Sequence, residues 1–159
     1  MDSAPYICGL VPEQAFRLVS GATGVLPEKT TGSENNGECW TTDAAHRPLE
    51  VGWLQVGGKT NQEHLDFLMG SRRNMYTRHG GVKLPVDLGD GMAAYLTNSP
   101  STDQPYRVSA TFLCDRKHRM IDIYLAQVAK GRDAIKDMTE LMRIAQKRYG
   151  EVYNCTPGT

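Results

Sequence analysis

Four cysteines, Cys8, Cys39, Cys114 and Cys155, carry the most definite chemistry in this chain. The number is even, with one pair in each half. None forms a C-x-x-C, and none has a histidine at a metal-ligand spacing. In a chain of this length the pattern reads as two disulfides, and disulfides persist outside the reducing cytosol. Three connectivities exist for four cysteines. Position favours Cys8–Cys39 and Cys114–Cys155. Cys8 precedes a candidate helix and Cys39 sits in a candidate strand. Cys114 ends a strand on its apolar face, and Cys155 follows the last candidate helix. Each link would tie a helix to a sheet. The competing readings are four buried free thiols, or Cys8 as a lipid-bearing residue. The second is disfavoured because Pro5, Tyr6 and Ile7 lack the small residues a lipoprotein cleavage site needs.

Other reactive residue types fall into no catalytic spacing. His46, His64, His79 and His118 form no H-E-x-x-H and no i, i+4 pair, so they read as solvated side chains and no metal site is expected. Ser20, Ser71, Ser99, Ser101 and Ser109 occupy no G-x-S-x-G elbow. Gly89-Asp90-Gly91 resembles part of an acidic calcium loop but has too few carboxylates around it, and reads as a turn. Gly57-Gly58-Lys59-Thr60 evokes the end of a phosphate loop; the earlier glycine at the required spacing is missing, so it reads as a strand-to-helix turn. The expectation is a protein that is not an enzyme, with no catalytic residue and no cofactor.

Two basic clusters stand out. Arg116, Lys117, His118 and Arg119 lie together at a candidate hairpin tip, and Arg72, Arg73, Arg78 and His79 end a candidate helix. Exposed positive charge orients anionic partners. The tip is therefore the candidate binding patch, against the plainer reading of a solvated turn. Trp40 and Trp53 lie on adjacent candidate strands, where aromatics pack more often than they bind.

These groups need a scaffold. At 159 residues the chain predicts a single domain over 1–159, long enough to bury a core. Basic and acidic residues number 18 each, and this balance argues against a nucleic-acid partner. No segment approaches the roughly 20 apolar residues of a membrane helix. The first eight residues do not read as a signal peptide, so an exported form would have lost its leader, and any lipid anchor would belong to that leader region.

Periodicity supplies the elements. A helix starts at Val11 or Pro12 with Ala15, Phe16 and Val19 as its stripe, and ends at Gly21–Gly24. Residues 27–37 read as a polar loop. Residues 38–42 and 49–56 read as a hairpin, with Val51 and Trp53 on one face and Leu49 and Leu54 on the other. Thr60-Asn61-Gln62-Glu63 reads as a capping box opening a second helix, stopped by Gly80-Gly81. Short strands are expected over 84–88 and 92–97. Residues 107–114 and 120–128 form the clearest hairpin, with Val108, Ala110, Phe112 and Cys114 on one face, and Ile121, Ile123 and Leu125 likewise. A final helix over 133–149 follows, with Gly150 just past its end. The order α-ββ-α-βββ-α predicts an α+β fold: an antiparallel sheet with helices packed against it.

Cys8-Gly9-Leu10-Val11-Pro12-Glu13, then Cys39-Trp40, then Leu88-Gly89-Asp90-Gly91-Met92-Ala93, followed by a long hairpin and a terminal helix, resembles a domain-of-unknown-function family of actinobacterial secreted lipoproteins. The resemblance implies an exported protein with a PsbP/Mog1-like α/β/α sandwich, and no catalytic residue. The combined expectation is an extracytoplasmic, non-enzymatic binding or accessory protein of the bacterial cell envelope. Its partner would be an envelope protein or an anionic envelope component. The alternative is a small secreted hydrolase whose site assembles from dispersed polar residues.

Overall fold

The computed structural model describes residues 1–43, 46–57, 60–97 and 103–159. Chain order is β1 (Tyr6–Ile7), β2 (Val11–Pro12), α1 (Glu13–Ser20), β3 (Glu28–Gly32), β4 (Asn36–Thr41), β5 (Leu49–Gln55) and α2 (Gln62–Arg78). Then come β6 (Val82–Lys83), a 3-10 turn (Val86–Leu88), β7 (Asp90–Tyr95), β8 (Tyr106–Cys114), β9 (Lys117–Leu125) and α3 (Ala134–Tyr153). Seven strands form one antiparallel sheet in the order β3-β4-β5-β9-β8-β7-β6, and β1 and β2 pair separately. The expected α+β class, with an antiparallel sheet flanked by helices, is what the chain adopts.

The layers follow from strand parity, because successive side chains alternate faces. Leu49, Val51, Val108, Ala110, Phe112, Ile121, Ile123 and Leu125 pack on one face against Phe16 and Val19 of α1 and Met138, Leu141, Met142 and Tyr149 of α3. On the opposite face Leu54, Met120, Met92 and Ala94 meet Leu65, Met69 and Tyr76 of α2 in two smaller clusters. The result is an α/β/α sandwich. Leu49 thus shares a face with Val51, two residues on, and not with Leu54 as first read.

Several boundaries differ from expectation for local reasons. Residues 28–32 form β3, an edge strand with every side chain exposed, so no apolar alternation could announce it. Asn61, not Thr60, caps α2: its side chain accepts the His64 N–H at 2.8 Å. Between β6 and β7 the chain makes a 3-10 turn, not a strand over 84–88. α3 runs four residues past Tyr149 to Tyr153 and ends at Asn154 in the left-handed conformation, φ 53°. Gly150 lies inside it because a side chain there would strike the returning segment: a Cβ would sit 2.6 Å from Pro157 Cδ.

Both expected disulfides are present. Cys8–Cys39 closes a loop of 31 residues and Cys114–Cys155 one of 41, with Cα separations of 5.6 and 5.4 Å. By loop entropy each is worth about 4 kcal/mol. The first holds β4 to the segment before α1. The second holds the end of β8 to the chain leaving α3.

Candidate functional site

The β8–β9 hairpin is closed by a two-residue turn. Cys114 pairs with Lys117, leaving Asp115 and Arg116 at the tip, with φ of 51° and 64°. Two consecutive left-handed residues define the tight hairpin turn that best matches strand twist. Non-glycine residues adopt it at some local cost. The segment after α3 holds the turn in place. Thr156 N–H donates to the Asp115 carboxylate at 2.9 Å, Arg116 N–H donates to the Thr159 carbonyl at 2.9 Å, and Gly158 N–H donates to the Leu113 carbonyl at 2.8 Å. With Cys114–Cys155 these bonds make a rigid platform.

The four residues expected at the tip separate into two environments. Arg116, Lys117 and His118 are exposed. Arg116 and Lys117 join no ion pair among the described residues, whereas Arg47, Arg72, Arg73, Arg132, Arg143 and Arg148 all do. Arg119 does not belong to the patch. It is only 7% exposed: it shares a face of β9 with Lys117, but lies two residues further from the turn, where Tyr149 of α3 covers it. There Nη1 donates to Tyr149 Oη at 3.0 Å and to Gln55, and Nη2 donates to the Cys114 carbonyl at 3.2 Å. Its Nε finds no partner among the described residues. Among the described residues no carboxylate bonds to this guanidinium, and the acceptors that hold it are neutral.

Beside the tip lies a slot of about 340 Å³, lined by Val86, Phe112, Leu113, Thr111, His118 and Gly158. Asp87 and Asp90 line it too, paired with Arg143 and Arg73 respectively. Val86 stands at its mouth, 92% exposed. A larger groove of about 440 Å³ runs between α3 and residues 155–157. Its cations are already engaged, Arg143 with Asp87 and Lys147 with Asp2.

The second basic cluster does not assemble. Arg72 turns to the sheet and grips Asp122 through Nε at 2.8 Å and Nη2 at 3.0 Å. Arg73 pairs with Asp90, and Arg78 donates to the Asn74 carbonyl. The tryptophans pack: Arg47 stacks 3.9 Å over the Trp40 ring, and Trp53 Nε1 donates to the Ser33 carbonyl at 2.9 Å. His46 sits 3.1 Å from Asp43. No cluster of His, Cys, Asp and Glu that could hold a metal occurs among the described residues. Ser99 and Ser101, and Gly58 and Lys59 of the glycine-lysine turn, lie outside the described residues.

Sequence reasoning missed a polar row on the α2 face of the sheet. Asp122, gripped by Arg72, also accepts from Ser109, whose hydroxyl lies 2.7 Å from Tyr76 Oη. Two residues along, Glu50 pairs across the sheet with Tyr124 and Trp40, and the Arg107 guanidinium lies 4.1 Å over the Tyr124 ring. Burial, and then the neighbouring Glu38 carboxyl, raise the Glu50 pKa above the ordinary range; Arg47 and Arg107 oppose this without cancelling it. Burial likewise pushes the Tyr76 phenol well up. Ser109, Asp122, Glu50 and Tyr124 occupy every second position of strands whose other face is apolar, and that interruption of the α2-facing set was the available signal. Ser109 is fully buried, so the row braces α2 on the sheet and offers substrate no hydroxyl.

No protein-family profile matches this chain, and neither a curated protein nor a solved structure is detectably similar to it. The fold and its sites define the class on their own: a disulfide-linked α/β/α protein with an antiparallel sheet. Among the described residues, no helix is long and apolar enough to cross a membrane.

Proposed function

We propose that this chain is an exported, non-enzymatic binding or accessory protein acting at a bacterial cell envelope, with the β8–β9 tip as its contact surface. One observation carries this reading: Arg116 and Lys117, neither in an ion pair among the described residues, project from a turn clamped by a disulfide and three hydrogen bonds. A surface already ordered loses little conformational entropy when a partner docks. Unpaired cations on a chain of zero net charge attract an anionic partner locally. The two disulfides support an oxidising, extracytoplasmic location. The sequence resemblance to secreted actinobacterial lipoproteins points to the same compartment.

The test compares the chain with its Arg116→Glu/Lys117→Glu variant, each immobilised and exposed to solubilised envelope extract. At low salt the wild type should retain an envelope component that the variant loses. The difference should fade as salt rises, because exposed charges are screened over about 8–10 Å near physiological ionic strength. Both proteins should melt at the same temperature. Equal retention at low salt would return the tip to the status of a solvated turn.

A further inference from the structure

Charges of opposite sign stand beside the two disulfides. At Cys8–Cys39 the neighbour is an anion: the Glu28 carboxylate accepts the Cys8 N–H at 2.7 Å. At Cys114–Cys155 it is a cation. Arg119 Nη2 donates to the Cys114 carbonyl at 3.2 Å, and the two residues share a face of adjacent strands. This guanidinium is buried, and among the described residues its Nε has no partner and no carboxylate bonds to it. Tyr149 does not supply the missing charge, because burial raises its pKa and keeps the phenol protonated. The other charges near Cys114 are its cross-strand partner Lys117 and, in the turn, Arg116 and Asp115. Glu34 acts further off, on Tyr153, which stacks on Tyr149. The sulfurs also differ in access. Cys114 is fully buried, whereas Cys155 is partly exposed and lines the groove of about 440 Å³ beside α3. That groove sets Arg143 and Lys147 against Asp87 and Glu151, so an approaching thiolate meets no net negative charge.

We propose that Cys114–Cys155 is a thiol–disulfide exchange site, opened at Cys155 by the dithiol of a partner oxidoreductase, with Cys114 as the leaving sulfur and Arg119 as the cation beside it. A partner thiolate attacks Cys155 Sγ from the groove. A bond forms between these sulfurs, the Cys114–Cys155 bond breaks, and its electron pair leaves on Cys114 as a thiolate. The partner's second thiol, having lost its proton, then attacks the partner sulfur of the mixed disulfide. Cys155 departs as a thiolate and takes up a proton. The partner is oxidised to a disulfide and both cysteines of this chain are reduced. Exchange is faster when the leaving thiol has a lower pKa, and a neighbouring cation lowers that pKa whereas a carboxylate raises it. Cys8–Cys39, beside Glu28, is therefore the internal comparison. Opening Cys114–Cys155 frees the segment that clamps the Asp115–Arg116 turn, but the exchange does not depend on what the tip contacts.

The probe is dithiothreitol, added to the folded, oxidised protein and followed by alkylation and peptide mapping of each cysteine. Cys114 and Cys155 should be reduced several-fold faster than Cys8 and Cys39, with circular dichroism still native. Arg119→Lys and Arg119→Met both lose the guanidinium fork, so comparing them isolates charge. The lysine variant should open Cys114–Cys155 several-fold faster than the methionine variant. In wild type reduced only at this bridge, thiolate absorbance should show one thiol titrating below the ordinary value of about 8.5. The same titration of Cys114→Ser should lack it. Should neither Arg119 variant fold, this thiolate titration decides. Three results would each overturn the assignment: Cys8–Cys39 opening first or both bridges opening only as the fold is lost, equal rates for the lysine and methionine variants, or no thiol titrating below the ordinary range.

Discussion

Arg116 and Arg119 are three residues apart on one hairpin and have opposite roles. Arg119→Ala would strip the hydrogen bonds from Tyr149 Oη and the Cys114 carbonyl inside the core and leave a void. The expected cost is roughly 2–4 kcal/mol, the range for unpairing buried polar groups and opening a cavity. Arg116→Ala touches no such contact and should leave denaturant unfolding unchanged. Equal midpoints for the two variants would show that Arg119 is not the buried cation described.

Glu50 gives a second test at this scale. Its folded pKa lies above the ordinary 4.5, because burial and Glu38 favour the protonated form. Across that interval the folded chain binds more protons than the unfolded chain, so this group's contribution to stability falls as pH rises through it. Below about pH 3.5 both states hold the proton and the penalty vanishes. Glu50→Gln should therefore melt above wild type at pH 7.5, with the gain shrinking to nothing in acid. A difference in melting temperature that stays constant from pH 3.5 to 7.5 would count against the assignment.

At the scale of elements, α2 tests how a helix start is read. A capping box places the cap at Thr60, with Glu63 reaching back. The fold uses Asn61 instead, because Thr60 exchanges backbone hydrogen bonds with Gly57 in a tight bridge. Asn61→Ala should cost about 1 kcal/mol, and Thr60→Ala less than about 0.5 kcal/mol. The reverse order in urea unfolding would restore the capping box. Helix α3 offers the opposite lesson about propensity. Alanine is a better helix former than glycine by about 1 kcal/mol. At residue 150, however, a Cβ would lie 2.7 Å from the Cys155 carbonyl oxygen and 2.6 Å from Pro157 Cδ. Gly150→Ala should destabilise by roughly 1–3 kcal/mol through overpacking. A gain in stability would mean the returning segment moves aside freely.

For the whole molecule the two disulfides are staples on a core that is already substantial. That core spans both sheet faces and is filled by Phe16, Tyr149, Met138 and Leu141 on one side and Leu65, Met69 and Tyr76 on the other. Removing either pair as Cys→Ser should cost roughly 2–5 kcal/mol. The losses differ in kind. Without Cys8–Cys39 the sheet and α3 stay joined. Without Cys114–Cys155 the segment holding the Asp115–Arg116 turn is released. The second double variant should therefore lose tip binding beyond its loss of stability, as measured on the folded fraction. Equal tip binding by both double variants would show that the clamp is dispensable.

Much of this architecture was legible in one dimension. The β8–β9 hairpin and α3 announced themselves because their apolar periods, two and near 3.6, reflect burial against one large face. The cysteine pairing was legible because each pair set one cysteine in a candidate strand, Cys39 or Cys114, against one beside a candidate helix, Cys8 or Cys155. β3 was not legible: all five of its side chains face solvent, and its strand state comes from the backbone of β4. The polar row under α2 was hidden because Arg72 and Asp122 are 50 residues apart and only the sheet brings them together. The same cause split the Arg116–Arg119 cluster. Sequence places four basic or titratable side chains in a run, but how far each lies from the turn decides what covers it, and only Arg119 reaches the part of β9 that Tyr149 of α3 overlies. Composition, local period and cysteine spacing thus determined the class of fold and its covalent ties. Tertiary structure alone decided which charges are buried and paired and which stand free, because that depends on what the rest of the chain lays against each face.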